Sequence, residues 1–282
     1  MGASCFTLQM TALSPNQQWE FSATSYNSSP MKQFESYVIC TSPRSGSTLL
    51  CRLLSEVGNA GLPDSHFHEP TLNEWLSEYG FGISEFNTRR EALSAIFRAA
   101  LEYGKGKSNV FGLRLQRHSF DFFIEQLRVL YPSLLDDKSR IEAAFGNTLF
   151  IHLTRENKLD QAVSYVRAQQ SGLWHLAPDG TEIERLSEPQ EPTYDPTAIE
   201  AQLRLSEQMD KDWQSWFVSG GINPIRITYD ELSAEPYRTL GGLLKELGLE
   251  QDPRAEVTPP TAKLADATNR EWAERFRSEG RS

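Results

Sequence analysis

The chain has 282 residues, of which 39% are hydrophobic and 23% charged, and a formal net charge of −10. It is too apolar for a disordered chain and long enough to bury a core. No apolar run approaches the ~18 residues of a membrane span, which argues against an integral membrane segment. No Lys/Arg block supplies the basic face of a nucleic-acid binder. An anionic small ligand stays open, because it needs only a few local cations and backbone amides.

Residues 1–35 are rich in Ser, Thr, Gln and Asn and read as a flexible N-terminal tail ahead of a single domain over 36–282. The tail has no basic stretch leading into an apolar core, so no secretory signal is read. Its start nearly fits a myristoylation signal, but Phe6 stands where Ser or Thr is wanted. The three cysteines, Cys5, Cys40 and Cys51, match no zinc spacing and no disulfide framework. A reducing, cytoplasmic location is expected.

Tyr37-Val38-Ile39-Cys40-Thr41 reads as a buried strand and Ser42–Ser47 as a turn. Leu49, Leu50, Leu53, Leu54 and Val57 form a helical stripe that Gly58 and Gly61 close. Val110–Leu115 reads as a second strand, Phe120–Leu130 as a helix and Thr148–Thr154 as a central strand. A helix is expected over Leu159–Gln170, then a long surface excursion over 171–198. Ile199 to Phe217 reads as a long amphipathic helix whose Trp213, Trp216 and Phe217 are core. Pro224–Tyr229 reads as a strand, Leu240–Leu247 as a helix and Asn269–Arg277 as a short terminal helix. Strands alternating with helices predict an α/β fold: a P-loop-like parallel sheet with helices on both faces. Its ligands would sit at the carboxyl ends of the strands.

Two elements there suit anions. The loop Arg44-Ser45-Gly46-Ser47-Thr48 enters a helix N-terminus, where free amides and the helix dipole favour negative charge. Gly46 permits close approach, the hydroxyls donate, and Arg44 adds a cationic fork. A plain N-cap would read the same from the loop alone. Arg155 closes the strongest strand and Ser164 follows nine residues later, in the next helix. Together the two would grip a nucleotide with a 5′ phosphate group at one end and a 3′ phosphate at the other, as 3′-phosphoadenosine 5′-phosphosulfate (PAPS) has. Gly106-Lys107-Ser108 imitates the end of a Walker A motif, but Leu101 stands where its first glycine belongs, and the segment reads as a surface turn. Three residues between Cys40 and Arg44 are too few for a phosphatase loop.

These stretches resemble the PAPS-dependent sulfotransferases, and more closely the bacterial trehalose 2-sulfotransferase-like family. The matching residues are Ser42–Leu50, Phe111–Leu115, His152–Ser164, Trp213–Phe217, Tyr229–Leu232, Ala265-Asp266, Glu271-Trp272 and Arg275-Phe276. The resemblance implies a sulfotransferase fold, PAPS as donor, a carbohydrate or glycolipid acceptor and no metal, and it admits a homodimer. It assigns the 5′-phosphosulfate to Arg44, Ser45, Gly46, Ser47 and Thr48, and the 3′-phosphate to Arg155 and Ser164. Arg114 would face the active site. The family's Gly-Glu-Pro-x-Glu-Phe-Phe segment, whose second Glu is the proposed base, is here Gly61-Leu62-Pro63-Asp64-Ser65-His66-Phe67, with Ser65 in that Glu's place. The base is therefore expected among Asp64, His66, His68 and Glu69, with His66 ahead of His68; on an extended segment the two histidines would share a face. Trp174 and His175 are candidates to line the acceptor cleft. Two other functions compete. A P-loop-like small-molecule kinase would want a Walker lysine, and an inactive nucleotide-binding relative would fit the missing glutamate.

Overall fold

The computed structural model describes residues 34–176, 179–250 and 267–280. The expected tail lies outside them except for Phe34 and Glu35, which already belong to the compact unit from Phe34 onward. Glu35 pairs through its backbone with Asn147 and Phe111.

The order is β1 (Ser36–Thr41), α1 (Ser47–Glu56), α2 (Leu72–Glu78), a 3-10 turn, α3 (Arg89–Lys105), β2 (Phe111–Gln116), α4 (Arg117–Leu130) and α5 (Asp137–Phe145). Next come β3 (Thr148–Thr154), α6 (Lys158–Ser171), β4 (Leu173–Leu176), β5 (Glu182–Arg185) and α7 (Pro196–Ser219). The chain closes through β6 (Ile225–Thr228), α8 (Tyr229–Ala234), α9 (Pro236–Leu247) and α10 (Ala267–Ser278). Gly106 caps α3, so the Walker-like Gly106-Lys107-Ser108 lies at a helix end.

β2, β1, β3 and β6 form one parallel sheet in that order. Every residue of β1 and β3 is buried, as a sheet covered on both faces requires. Alternation along β1 splits the core. Val38 and Cys40 join Phe97, Phe123, Phe145 and Trp213 of α3, α4, α5 and α7 on one face. Tyr37 and Ile39 join Leu50, Leu53 and Leu54 of α1 and Leu240, Leu243 and Leu247 of α9 on the other. A third cluster ties α6, α7 and α10 through Val163, Val166, Leu203, Trp272 and Phe276.

Because the sheet is parallel, the ends Thr41, Gln116, Thr154 and Thr228 lie on one side of the molecule. The chain runs from β1 first to β2 on one flank and then to β3 on the other, so the strand order reverses at β1. That reversal opens a crevice beyond the strand ends.

The surface excursion over 171–198 contains the antiparallel hairpin β4–β5. The sequence reading also passed over α2, α3 and α5. Thr88 caps α3 by accepting from the Glu91 N–H, and Ala92, Leu93, Ile96, Phe97 and Ala100 bury at helical spacing.

Phe123 packs its ring against Phe67, Phe97 and Phe145. We expect Phe123→Ala to cost about 3–5 kcal/mol of stability, read as a lower urea midpoint.

Candidate active site

A cavity of about 790 Å³ lies beyond the strand ends. Each strand delivers residues to it: Gly46, Ser47 and Thr48 after β1, His118 after β2, Arg155 after β3 and Tyr229 after β6.

The loop after β1 is fastened from several sides. The Ser45 hydroxyl donates to the Ser42 carbonyl at 2.7 Å and lies 2.5 Å from the Thr41 hydroxyl. Gln161 of α6 donates to Ser42 Oγ and the Pro43 carbonyl, and the Trp213 indole of α7 donates to the Thr41 carbonyl. Arg44 has φ +64°, the one non-glycine residue in the left-handed region among the described residues. Gly46 has φ +90°, and a Cβ there would meet Tyr229 Cδ2 at 2.6 Å. Gly46 is also the N-cap of α1 and supplies no capping side chain. The first amides of α1 therefore open toward the cavity. Helix α6, by contrast, is capped by Asn157.

The cations follow. Arg44 donates to Ser164 Oγ at 3.0 Å and to the Trp174 carbonyl at 2.5 Å, and no carboxylate is in ion-pair range among the described residues. Burial first, and the Arg155 charge second, pull its pKa down to about 10. Arg155 stacks 4.6 Å over the Tyr229 ring, with Asp160 at 3.8 Å. Its pKa is lowered by burial against the raising pull of Tyr229 and Asp160. Arg114 on β2 donates to Ser65 Oγ, Thr48 Oγ1 and Asp64 Oδ1 at 2.7, 3.1 and 3.0 Å. These donors suit phosphate and sulfate oxygens.

Of the expected site residues, Arg44, Gly46, Ser47, Thr48, His68, Arg114, Arg155 and Ser164 line the cavity. Ser45 and His66 do not. The Ser45 side chain is fully buried and spent on holding the loop, so its hydroxyl is withdrawn as a ligand donor. His66 is buried away from the cavity, stacked on Phe111 and bonded through Nδ1 to the Tyr79 hydroxyl. The correction has a physical cause. The 64–69 segment turns rather than extends, which parts His66 from His68 instead of placing them on one face.

Trp174 and His175 line the cavity from the β4–β5 hairpin. His175 Nε2 sits 3.0 Å from Thr48 Oγ1. Burial, then Arg44, Arg114 and Arg52, drive its pKa down to about 3, so it stays neutral. His118 and Tyr229 were not singled out as site residues, although each stands within two residues of a strand end, where the topology puts ligands. Among the described residues, no three of His, Cys, Asp or Glu gather as a metal would need.

Fold and site together define a P-loop-like α/β protein whose strand-end cavity gathers arginines and an uncapped helix start. The chain belongs to the Stf0 sulphotransferase family, which it matches over residues 36–279, and it is a sulfotransferase. It is 27% identical over 265 residues to a trehalose 2-sulfotransferase of Mycolicibacterium smegmatis, covering 86% of this chain and 94% of that one. A trehalose 2-sulfotransferase of Mycobacterium tuberculosis is 26% identical over the same length and coverage. Among solved structures, the sulfotransferase domain from the curacin biosynthetic pathway aligns with 89% of this chain and 98% of its own. Its identity is 15% and its TM-score 0.40.

His66 yields a pH prediction. Its folded pKa is lowered from 6.5, chiefly by burial. Below that pH the unfolded chain takes a proton that the folded chain refuses, so stability falls as pH falls. We expect His66→Phe to lose less stability than the native protein between pH 7 and 5, read as urea midpoints, and to keep its response to nucleotide.

Proposed function

We propose that the chain transfers a sulfuryl group from PAPS to a hydroxyl of a carbohydrate or glycolipid acceptor. The observation that carries this reading is the meeting of Arg44, Arg155 and Ser164 with the uncapped start of α1 in one cavity. The family implies PAPS as donor. The α1 amides, Ser47, Thr48 and Arg44 suit its phosphosulfate end, and Arg155 with Ser164 suits its 3′-phosphate. The sugar acceptor is carried over from the two trehalose enzymes. Support on the acceptor side is a wall of Ser65, His68, Arg114 and His118, with Trp174 to stack on a sugar ring. A reducing compartment suits the free, buried Cys40 and Cys51.

In this reading the reaction is an in-line displacement that needs positioning and charge stabilisation more than covalent help. The α1 amides and Arg44 hold the donor's anionic end and stabilise the departing phosphate. Arg114, between Thr48 and Ser65, faces the oxygens where charge spreads in the transition state. His68 takes over from His66 as the base expected in the 64–69 segment, since it alone of the two reaches the cavity.

Two measurements test the nucleotide site. The product nucleotide PAP should raise Tm more than AMP at matched concentration, because only PAP engages both anion grips. Equal shifts would remove the 3′-phosphate site. Arg155→Ala should weaken PAP by about 1.5–3 kcal/mol, roughly 10- to 150-fold in Kd, and leave AMP nearly unchanged by calorimetry. Equal losses for both would assign Arg155 a structural role.

A further inference from the structure

We propose that His118 is a second proton acceptor of this site, paired with His68 to receive the proton of the acceptor hydroxyl. The proposal rests on the sulfuryl-transfer reading above and names its base. In this chain Ser65 replaces the glutamate that the family resemblance makes the base, and its hydroxyl is taken by Arg114. The proton must therefore go to another group on the cavity wall.

Four such groups line it: His68, His118, His175 and Glu184. His175 is bonded to Thr48, and burial first, with three arginines adding to it, makes it a very weak base. Glu184 lies 3.4 Å from His175 Nε2, on the hairpin. His68 and His118 remain, and they touch: their rings are 5.0 Å apart and nearly perpendicular, at 83°. The segments that carry them are tied as well, because the side-chain hydroxyl of Ser119, the residue after His118, donates to the His68 carbonyl. His118 is the second residue of α4, directly past the end of β2, so the sheet fixes its position.

The charges around the pair suit proton transfer. The Glu69 carboxylate lies 3.7 Å from His68 Nε2. Burial and the neighbouring His68 lower the pKa of His118, while Glu69 opposes them. Arg117, beside it on α4, is turned to Asp121 and to Asp212 of α7. Arg114 faces the cavity from β2. At neutral pH His118 is a neutral imidazole, the form that accepts a proton. Charge on His68 disfavours charge on His118, so two imidazoles this close do not both gain a proton easily. In the step, the acceptor oxygen forms a bond to sulfur as the bond between sulfur and the phosphate oxygen breaks. That bonding pair leaves on the phosphate, and the hydroxyl proton passes to an imidazole nitrogen of the pair.

The test compares His68→Asn, His118→Asn and the double variant in the full chain, with labelled PAPS and two acceptor probes, trehalose and octyl glucoside. Each single variant should lower kcat roughly tenfold and the double variant by about 10²–10⁴-fold, with the KM for PAPS and the PAP-induced Tm shift unchanged. In imidazole NMR titrations of the PAP complex, His68→Asn should raise the titration midpoint of His118. Turnover in His118→Asn equal to the native protein, or uncoupled titrations, would overturn the pair. A native protein that binds PAP but sulfates neither probe would overturn the sugar-directed reading, and the pair with it.

Discussion

Everything at this site depends on holding two like charges together. Arg44 and Arg155 come from the ends of adjacent strands, and the parallel pairing of β1 with β3 leaves them no freedom to part. Both are buried enough for desolvation to weaken their hold on a proton, and the charge of Arg155 adds to the burden on Arg44. Arg44 meets neutral oxygens and a ring face, namely Ser164, the Trp174 carbonyl and the Trp174 ring, and Arg155 meets the Tyr229 ring with Asp160 at 3.8 Å. That arrangement is costly for the free protein and favourable once a polyanion enters. In the proposed reading, relief of this repulsion would supply part of the binding energy of the anionic ligand.

Such a cluster survives only on a rigid frame, and the structure supplies one. Gln161 and Trp213 reach from α6 and α7 to fix the β1 loop from outside, while Thr41 and Ser45 fix it from within. The left-handed backbone of Arg44 is held by the same contacts, so the strain sits at the wall of the cavity. At the end of β3, Thr154 and Lys158 converge on Asp210 of α7, whose acidity those partners strengthen. Helix α7 thus braces both arginine-bearing strand ends.

The sheet and the anion loop were legible in the sequence because both follow local rules. Buried parallel strands read as continuous apolar runs, and Thr148–Thr154 coincides with β3 residue for residue. Arg44 and Arg155 were singled out because each follows the end of such a run, and both line the cavity. What failed needed tertiary information. His66 and His68 were assigned to one face on the assumption of an extended chain, but Phe67 is drawn into the aromatic core beside Trp75 and Phe97, and the segment turns around it. His118 escaped because α4 was started at Phe120. The helix begins at Arg117, directly at the strand end, which puts His118 at the mouth of the crevice rather than in a loop. Ser45 looked like its neighbours Ser47 and Thr48 in sequence, and only packing reveals that its hydroxyl faces inward.

The net charge of −10 and a site for a polyanion are compatible because electrostatics in water is local. At physiological salt, potentials from exposed carboxylates decay over about 8 Å. Inside the cavity the cations are Arg44, Arg114 and Arg155, of which Arg44 and Arg155 are strongly desolvated, and Glu184 of the hairpin faces them. The acidic surface then governs approach and solubility, while the three arginines govern what stays bound. In the proposed reading a nucleotide charged at both ends answers Arg44 and Arg155 together, and His68 and His118 belong to the acceptor side of the same cavity.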